Sequence, residues 1–592
     1  MRSGQYRVPI ALAPLFLPAI AQEFSQWCGK YYQVGSPQDQ SRPAGSLFPD
    51  PEISQQPLLD FQCVTASSLY IENDVGDPPK ILVDTNITHD IGRPYYGNGS
   101  GTLEVEVYVD GESFLTGGVV EVNTMGTLLP FSTANLTASN IPYNLSCKAS
   151  LSGQVFWTNG SKLAYLPPNP YDGNTVKVDR TSGALLVQNE TGNGQWEKII
   201  PFGWYDSYNS SSTTAYGSQS SNDRRNDTLT RLHMAKDRGF NFVHIVPPGG
   251  FDPYTFSDEA TVQFEEYLAT AESLGLYIMY DMRNSFLNLS SVEYQINYLK
   301  SHPNILLWYT ADEPDGQQNP LNATQQAYTL INTLDGYHPV SLVLNCENYY
   351  YAEYGLDGAD IILVDPYPIA LNGGWSKRYN THVDEDYGCS GCDNCRGTFY
   401  DQIERMDSSR NRARLAGHYR TKPTWIVPQA FDDGQQEFWY RVPTGDEEAV
   451  QTVLAWNHGA AGHCAWNSQY ATLDLLNNAS FIANHLYAQS RFLIDAADSR
   501  QQIFSNLSYG LINGYDLASW TIPDSDGGVS TETLIFAVNF NYQATGVYGT
   551  FILPNVTGTV SEVLFGNVTV LDDGTPLFSM PRTSVAGVIL KS

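Results

Sequence analysis

The sequence predicts a (β/α)8 TIM barrel flanked by N-terminal and C-terminal β-sandwich domains, on three observations. Over residues 198–497, buried apolar runs alternate with helix-length segments, as in a parallel sheet with helical crossovers. On either side the texture changes to short alternating runs split by Gly, Asn, Asp and Pro, the pattern of antiparallel sandwiches. A chain of 592 residues has room for all three parts, at about 100–200 residues per domain.

Taken in order, Met1-Arg2 and Arg7, an apolar run over 9–20 and the small-residue end Ala19-Ile20-Ala21 read as a secretory signal over 1–21. That run is too short to span a bilayer. The N-terminal sandwich is expected over 22–197, where a strand at 101–109 meets the turn pair Asp110-Gly111, and further strands follow at 153–157 and 162–166. The barrel strands are expected at 199–204, 242–246, 277–280, 305–309, 340–344, 361–364, 424–427 and 463–466. Helices are expected at 223–238, 258–274, 292–301, 322–334, 398–416 and 447–458, and none opens on a G-x-G-x-x-G or P-loop, which argues against a doubly wound open sheet. The Ser-rich segment 207–221 reads as a loop beside the barrel mouth. From 498 to 592 the β texture returns, with strands at 534–540, 549–553, 560–565 and 585–590.

Composition narrows the partners. Hydrophobic residues are 42% and aromatics 12%, enough for sizeable cores, so the chain is globular. Asp and Glu number 63 against 32 Lys and Arg, a net charge of −31 that repels phosphate backbones and anionic headgroups. Neither nucleic acid nor a membrane is therefore an expected partner. Asn-x-Ser/Thr sequons recur from Asn86 to Asn567, and with the signal segment they suit a glycosylated, secreted, extracellular product. The 8 cysteines are expected to form disulfides, with Cys389, Cys392 and Cys395 stapling a loop rather than holding zinc. No metal or cofactor is expected, and oligomeric state is left open.

In a barrel of this kind the functional side chains stand at the C-terminal ends of the strands. Strand four ends Trp308-Tyr309-Thr310-Ala311-Asp312-Glu313-Pro314. This segment resembles the strand-four Glu-Pro signature of the large barrel superfamily of retaining glycoside hydrolases, with Asp where that pattern usually has Asn. The order sandwich, barrel, sandwich also resembles secreted glycosidases of that superfamily. The resemblance implies that Glu313 is the general acid/base, a carboxyl group held protonated so that it can donate to the glycosidic oxygen. Asp312 would raise it by charge repulsion.

The pattern breaks at strand seven. There the superfamily places a nucleophilic Glu, and this chain has Pro428-Gln429-Ala430-Phe431-Asp432. Gln429 is an amide and no nucleophile, but it suits a sugar hydroxyl. The second carboxylate could be Asp432 reaching back from the loop, Asp365 closing strand six, or Glu347 past strand five. The adjacent Asp312-Glu313 pair also resembles hexosaminidases in which Asp orients a 2-acetamido group that itself attacks the anomeric carbon. Other strand ends carry residue types that bind sugars: Trp204 and Asp206, His244, Asp281 and Arg283, Asn345, Tyr367, and Trp466. These readings point to a secreted glycoside hydrolase. The alternatives are a substrate-assisted hexosaminidase-like enzyme and a non-catalytic carbohydrate-binding barrel. No Ser-His-Asp order, G-x-S-x-G elbow or H-E-x-x-H supports a peptidase or esterase.

Overall fold

The computed structural model describes residues 26–31, 43–74, 76–97, 99–111, 113–188, 195–207, 221–247, 258–434, 437–468, 470–495, 500–509, 512–523, 530–542, 549–551 and 558–592. Side chains at 159–160, 207, 221–227, 258–260, 500–513 and 549–551 are not described. The signal segment and most of the Ser-rich loop lie outside the described residues.

Eight parallel strands close into a barrel: β1 Phe202–Ser207, β2 Phe242–Val246, β3 Tyr277–Asp281, β4 Ile305–Asp312, β5 Val340–Leu344, β6 Ile361–Val364, β7 Thr424–Ile426 and β8 His463–Ala465. β1 closes the ring by pairing with both β2 and β8. Around it lie helices α1 Ser221–Asp237, α2 Asp258–Ser273, α3 Leu289–Leu299, α4 Ala323–Leu334, α5 Phe399–Leu415, α6 Gly445–Asn457 and α7 Leu473–Ala488. A single π-turn, Ala352–Leu356, stands in place of a helix between β5 and β6.

Local chemistry sets these boundaries. α6 starts on a reciprocal cap, in which Glu447 N donates to Thr444 Oγ1 at 3.2 Å and Thr444 N donates to Glu447 Oε2 at 2.7 Å. It ends where Gly459 takes φ +79°, Gly459 N donates to Trp456 O and Ala460 N donates to Ala455 O, so the chain leaves the helix and reaches β8 within a few residues. α3 packs Val292, Ile296 and Leu299 on the sheet at helical spacing.

The barrel interior is filled by Phe242, Met279, Leu307, Leu363 and Trp425. Its N-terminal end is stopped by a three-stranded sheet, Thr175–Val178, Leu185–Gln188 and Glu197–Ile199, whose Val176, Val178, Leu185 and Val187 join the same core.

In the N-terminal region, one sheet orders the strands Arg93–Pro94, Leu58–Thr65, Lys80–Thr88 and Thr127–Pro130. The other orders Gln154–Leu163, Tyr143–Leu151, Thr102–Val109 and Ser113–Glu121. The disulfide Cys63–Cys147 joins the two sheets through a shared core. In the C-terminal region a five-stranded sheet built on Ile512–Pro523, Thr531–Asn539 and Ser584–Lys591 packs Trp520, Leu534 and Phe536 against Val450 and Leu454 of α6. A polar lock reinforces that seam: His458 bonds Asp407 at 2.8 Å and Asp516 at 3.0 Å, and Asn457 donates to Asp516 at 2.7 Å.

The cysteines depart in part from expectation. Cys28–Cys346, Cys63–Cys147 and Cys392–Cys395 are bonded, while Cys389 and Cys464 are free thiols. Cys464 lies on β8 inside the barrel, with its Sγ 3.5 Å from His244 Nδ1.

Candidate active site

β4 delivers two adjacent carboxyl groups to the C-terminal end of the barrel. A shift of register against β5 between Tyr309 and Asp312 breaks the strand's alternation, and Glu313 takes φ +49°, so consecutive residues are aimed differently. Asp365 closes β6 and is 3% exposed. The Glu313 and Asp365 carboxyls face each other in hydrogen-bond contact. Asn345, which ends β5, donates from Nδ2 to Glu313 Oε1 at 3.0 Å and to Asp365 Oδ1 at 3.4 Å.

Burial, then the charge of Asp312, pushes Glu313 up to about 7. Burial, then Glu313 itself, raises Asp365 well above the ordinary carboxylate range. Two carboxyls in contact share protons rather than both ionising, so the site can hold a transferable proton near neutral pH. Asp315, pushed up to about 6 by burial, accepts from the backbone N–H of Gly316, Asn345 and Cys346 and so ties the end of β4 to the end of β5.

A second set of charges supports the first. Arg283, after β3, donates to Asp281 and, through Nη1, to Asp312 Oδ2 at 2.7 Å. Tyr309 OH donates to the other Asp312 oxygen at 2.6 Å. Burial raises Asp312 in spite of Arg283. His244 Nε2 meets Asp281 at 2.6 Å, and burial holds its basicity below the ordinary value. The Arg283 guanidinium lies over the rings of Trp466, Tyr205 and Tyr309 at 4.7, 5.2 and 5.5 Å, and Tyr205 stacks on Trp466 at 4.0 Å. Tyr367, raised by burial and then by Asp365, stands against Phe431 and Trp439.

Of the residues singled out in the sequence, Asp312, Glu313, Asp365, Asp281, Arg283, His244, Asn345, Tyr367 and Trp466 come together here. Trp204, Asp206, Gln429, Asp432 and Glu347 are engaged elsewhere. β1 runs to Ser207 rather than ending at 204, so Trp204 and Asp206 both face outward: Trp204 is buried against Phe240, and Asp206 pairs with Arg231 of α1 at 2.6 Å. The intervening Tyr205 faces the site, as the period of two requires. Gln429 is fully buried and its amide is used by backbone, accepting from Ile369 N at 2.9 Å and donating to Ile369 O at 3.0 Å and Phe431 O at 3.3 Å. It fastens the segment after β6 and has no reach to a sugar. Asp432 closes a local turn by accepting from Gly434 N at 3.1 Å. Glu347 is held by Asn394 Nδ2 at 2.6 Å on the disulfide loop. Sequence reasoning missed Tyr205, Asp315 and Trp27. Correct strand limits would have found Tyr205, whereas Trp27 lies 318 residues from its partner Asn345 and carries no local signal.

A cleft of about 1400 Å³ opens at the other end of the barrel, where α5 meets both sandwiches. Its arginines are already engaged, Arg414 with Asp90 and Arg420 with Asp84.

No family model and no curated protein matches the chain. Among solved structures, a glycoside hydrolase aligns over 71% of this chain and 97% of its own, with 13% identity and a TM-score of 0.42. A family 5 glycoside hydrolase from Bacteroides vulgatus aligns over 68% of this chain and 91% of its own, with 12% identity and a TM-score of 0.42. A family 30 endoxylanase from Clostridium papyrosolvens aligns over 67% of this chain and 97% of its own, with 12% identity and a TM-score of 0.38.

Proposed function

We propose that the protein is a secreted glycoside hydrolase of three domains, 22–197, 198–497 and 498–592, in which Glu313 is the general acid/base and Asp365 the second carboxylate. The observation that carries this reading is the contact between those two buried carboxyls at the C-terminal end of the barrel. The chemistry follows from the geometry. The pair shares one proton; in the reacting form it sits on Glu313, so that Asp365 is ionised and attacks the anomeric carbon as the glycosidic bond breaks, and the leaving oxygen takes the proton from Glu313. Water then returns a proton to Glu313, adds to the anomeric carbon and frees Asp365. An inverting enzyme keeps about 6.5–9.5 Å between its carboxyls to admit a water, against about 5–5.5 Å in retaining enzymes. Direct contact therefore favours retention. Tyr205, Tyr367 and Trp466 offer aromatic surface to a pyranose ring.

The substrate-assisted alternative needs Asp312 for a 2-acetamido group, and both Asp312 oxygens are already taken by Tyr309 and Arg283. A binding barrel without turnover would have one acid and no partner, and Glu313 has Asp365. Three disulfides support folding in an oxidising compartment, and among the described residues no helix is long and apolar enough to cross a membrane.

The test is hydrolysis of a panel of nitrophenyl glycosides and polysaccharides, with the product anomer read by NMR. The expected result is turnover with retention, lowered by Glu313→Gln by about 100-fold or more. Turnover undiminished in that variant would remove Glu313 from the reaction.

A further inference from the structure

The described chain begins with a two-stranded hairpin in which Gln26 pairs with Tyr31 and Trp27 with Lys30. Cys28 and Gly29 form its tip, with φ +52° and +76°, the backbone of a type I′ turn. This tip is fastened into the mouth of the barrel on every side. Cys28 is bonded to Cys346, the residue after Asn345. Lys30, 2% exposed, pairs with Asp393 at 2.7 Å and donates to Asn394. Tyr31 O accepts from Gly388 N at 3.0 Å, and Gln26 accepts from Gln318 at 3.0 Å. The Trp27 ring lies so close on Gly316 that a Cβ there would fall 2.4 Å from it, which leaves only glycine at that position.

The contact that reaches the chemistry is Trp27 Nε1 donating to Asn345 Oδ1 at 2.8 Å. An amide has one accepting end and one donating end. With Oδ1 held by the indole, Nδ2 must point at Glu313 and Asp365. The rest of Asn345 is fixed by other groups: its N–H by Asp315 and its carbonyl by Arg405. The side-chain torsion is thus the freedom left for Trp27 to set.

We propose that the hairpin 26–31 is a working part of this site, in which Trp27 is a positioning residue that fixes the Asn345 amide toward the two carboxyls, and the Cys28–Cys346 bond completes the site only in the oxidised chain. The inference rests on the assignment of Glu313 and Asp365 made above. It makes the enzyme's competence depend on an N-terminal segment and on the oxidising compartment in which that segment is pinned. Asp312 and Asp315 from β4 and its loop, Arg283 after β3, Tyr309 on β4, Tyr367 after β6 and Cys389 also act electrostatically on the pair, and none of them is altered in the test.

The test uses the full secreted chain and the panel glycoside that wild type hydrolyses best. Trp27→Phe keeps the ring over Gly316 and removes the N–H. The expected result is kcat lowered about tenfold, the size of a hydrogen bond to charged groups, with KM within about twofold, and a pH profile moved to higher pH because a donor to the ionised pair is lost. Paired Cys28→Ser and Cys346→Ser should give the same loss, and adding Trp27→Phe to it should cost little more, since one unit has already been released. A Trp27→Phe variant equal to wild type in kcat and pH profile would overturn the proposal, as would losses that multiply independently. Titration of the Glu313 and Asp365 carboxyls by carbon-13 NMR needs no substrate. If wild type hydrolyses nothing, the functional assignment fails, yet an upward shift in Trp27→Phe still supports the hairpin's role and an unmoved titration refutes it.

Discussion

Asp312 raises its neighbour Glu313, so Asp312→Asn should move the pH profile of hydrolysis toward lower pH by about one unit, the scale of a charge a few ångströms away. The same raised carboxyl has a signed effect on stability. A carboxyl lifted from 4.5 to about 7 stabilises the fold at low pH, and that contribution is lost as pH rises through about 7. Glu313→Gln should therefore gain thermal stability over wild type progressively between pH 4.5 and 7 while losing turnover, and calorimetry across that range checks it. Gln429 gives a contrasting prediction. Restoring the carboxylate expected at strand seven, by Gln429→Glu, should create no nucleophile. It should cost about 3 kcal/mol, because it removes two donated hydrogen bonds and buries a charge among backbone carbonyls. Denaturant unfolding measures this. The sequence shows an amide at Gln429 but not its use, since the partner Ile369 lies 60 residues away and nothing in the local pattern announces it.

The strands of the barrel were legible because parallel strands buried on both faces read as continuous apolar runs, and seven of the eight lie close to where those runs stand. β1 was the exception. Its C-terminal half, Tyr205-Asp206-Ser207, is polar, so the apolar run stops at 204 and gives the wrong parity for the site. Between β5 and β6 no helix is expected and a π-turn is found, whereas α7, with its apolar face Leu475, Leu476, Ala479, Ile482 and Ala483, stands where no helix is expected. The seam between α6 and the C-terminal sheet carries its own prediction. Burial alone would lower His458, but its hydrogen bonds to Asp407 and Asp516 and their charges outweigh burial and raise it to about 9. Its contribution to stability is full below pH 6.5 and lost as pH rises through about 9, so thermal unfolding should weaken over that window in wild type and not in His458→Gln.

At the scale of the whole molecule, the order sandwich, barrel, sandwich was visible as changes of texture along the chain, while the contacts that join the parts were not. Residues 175–188 show why. They read as more sandwich, and in the fold they stop the N-terminal end of the barrel. The disulfides divide in the same way by role. Cys63–Cys147 crosses the N-terminal sandwich far from the carboxyl pair, so its paired replacement by Ser should cost about 2–5 kcal/mol of stability in that region and leave kcat unchanged. Loss of Cys28–Cys346 should instead act on kcat. Comparing unfolding and turnover for the two double variants separates a staple that holds a domain from one that holds a site.

Trapping of the glycosyl-enzyme tests whether Asp365 is the nucleophile that partners Glu313. Wild type is incubated with the 2-deoxy-2-fluoro derivative of the glycoside it hydrolyses, carrying a good leaving group, and the labelled peptide is identified by mass spectrometry. One sugar is expected on the peptide containing Val364-Asp365-Pro366, and none in Asp365→Asn. A label on any other carboxylate, or turnover with inversion and no label, would contradict it.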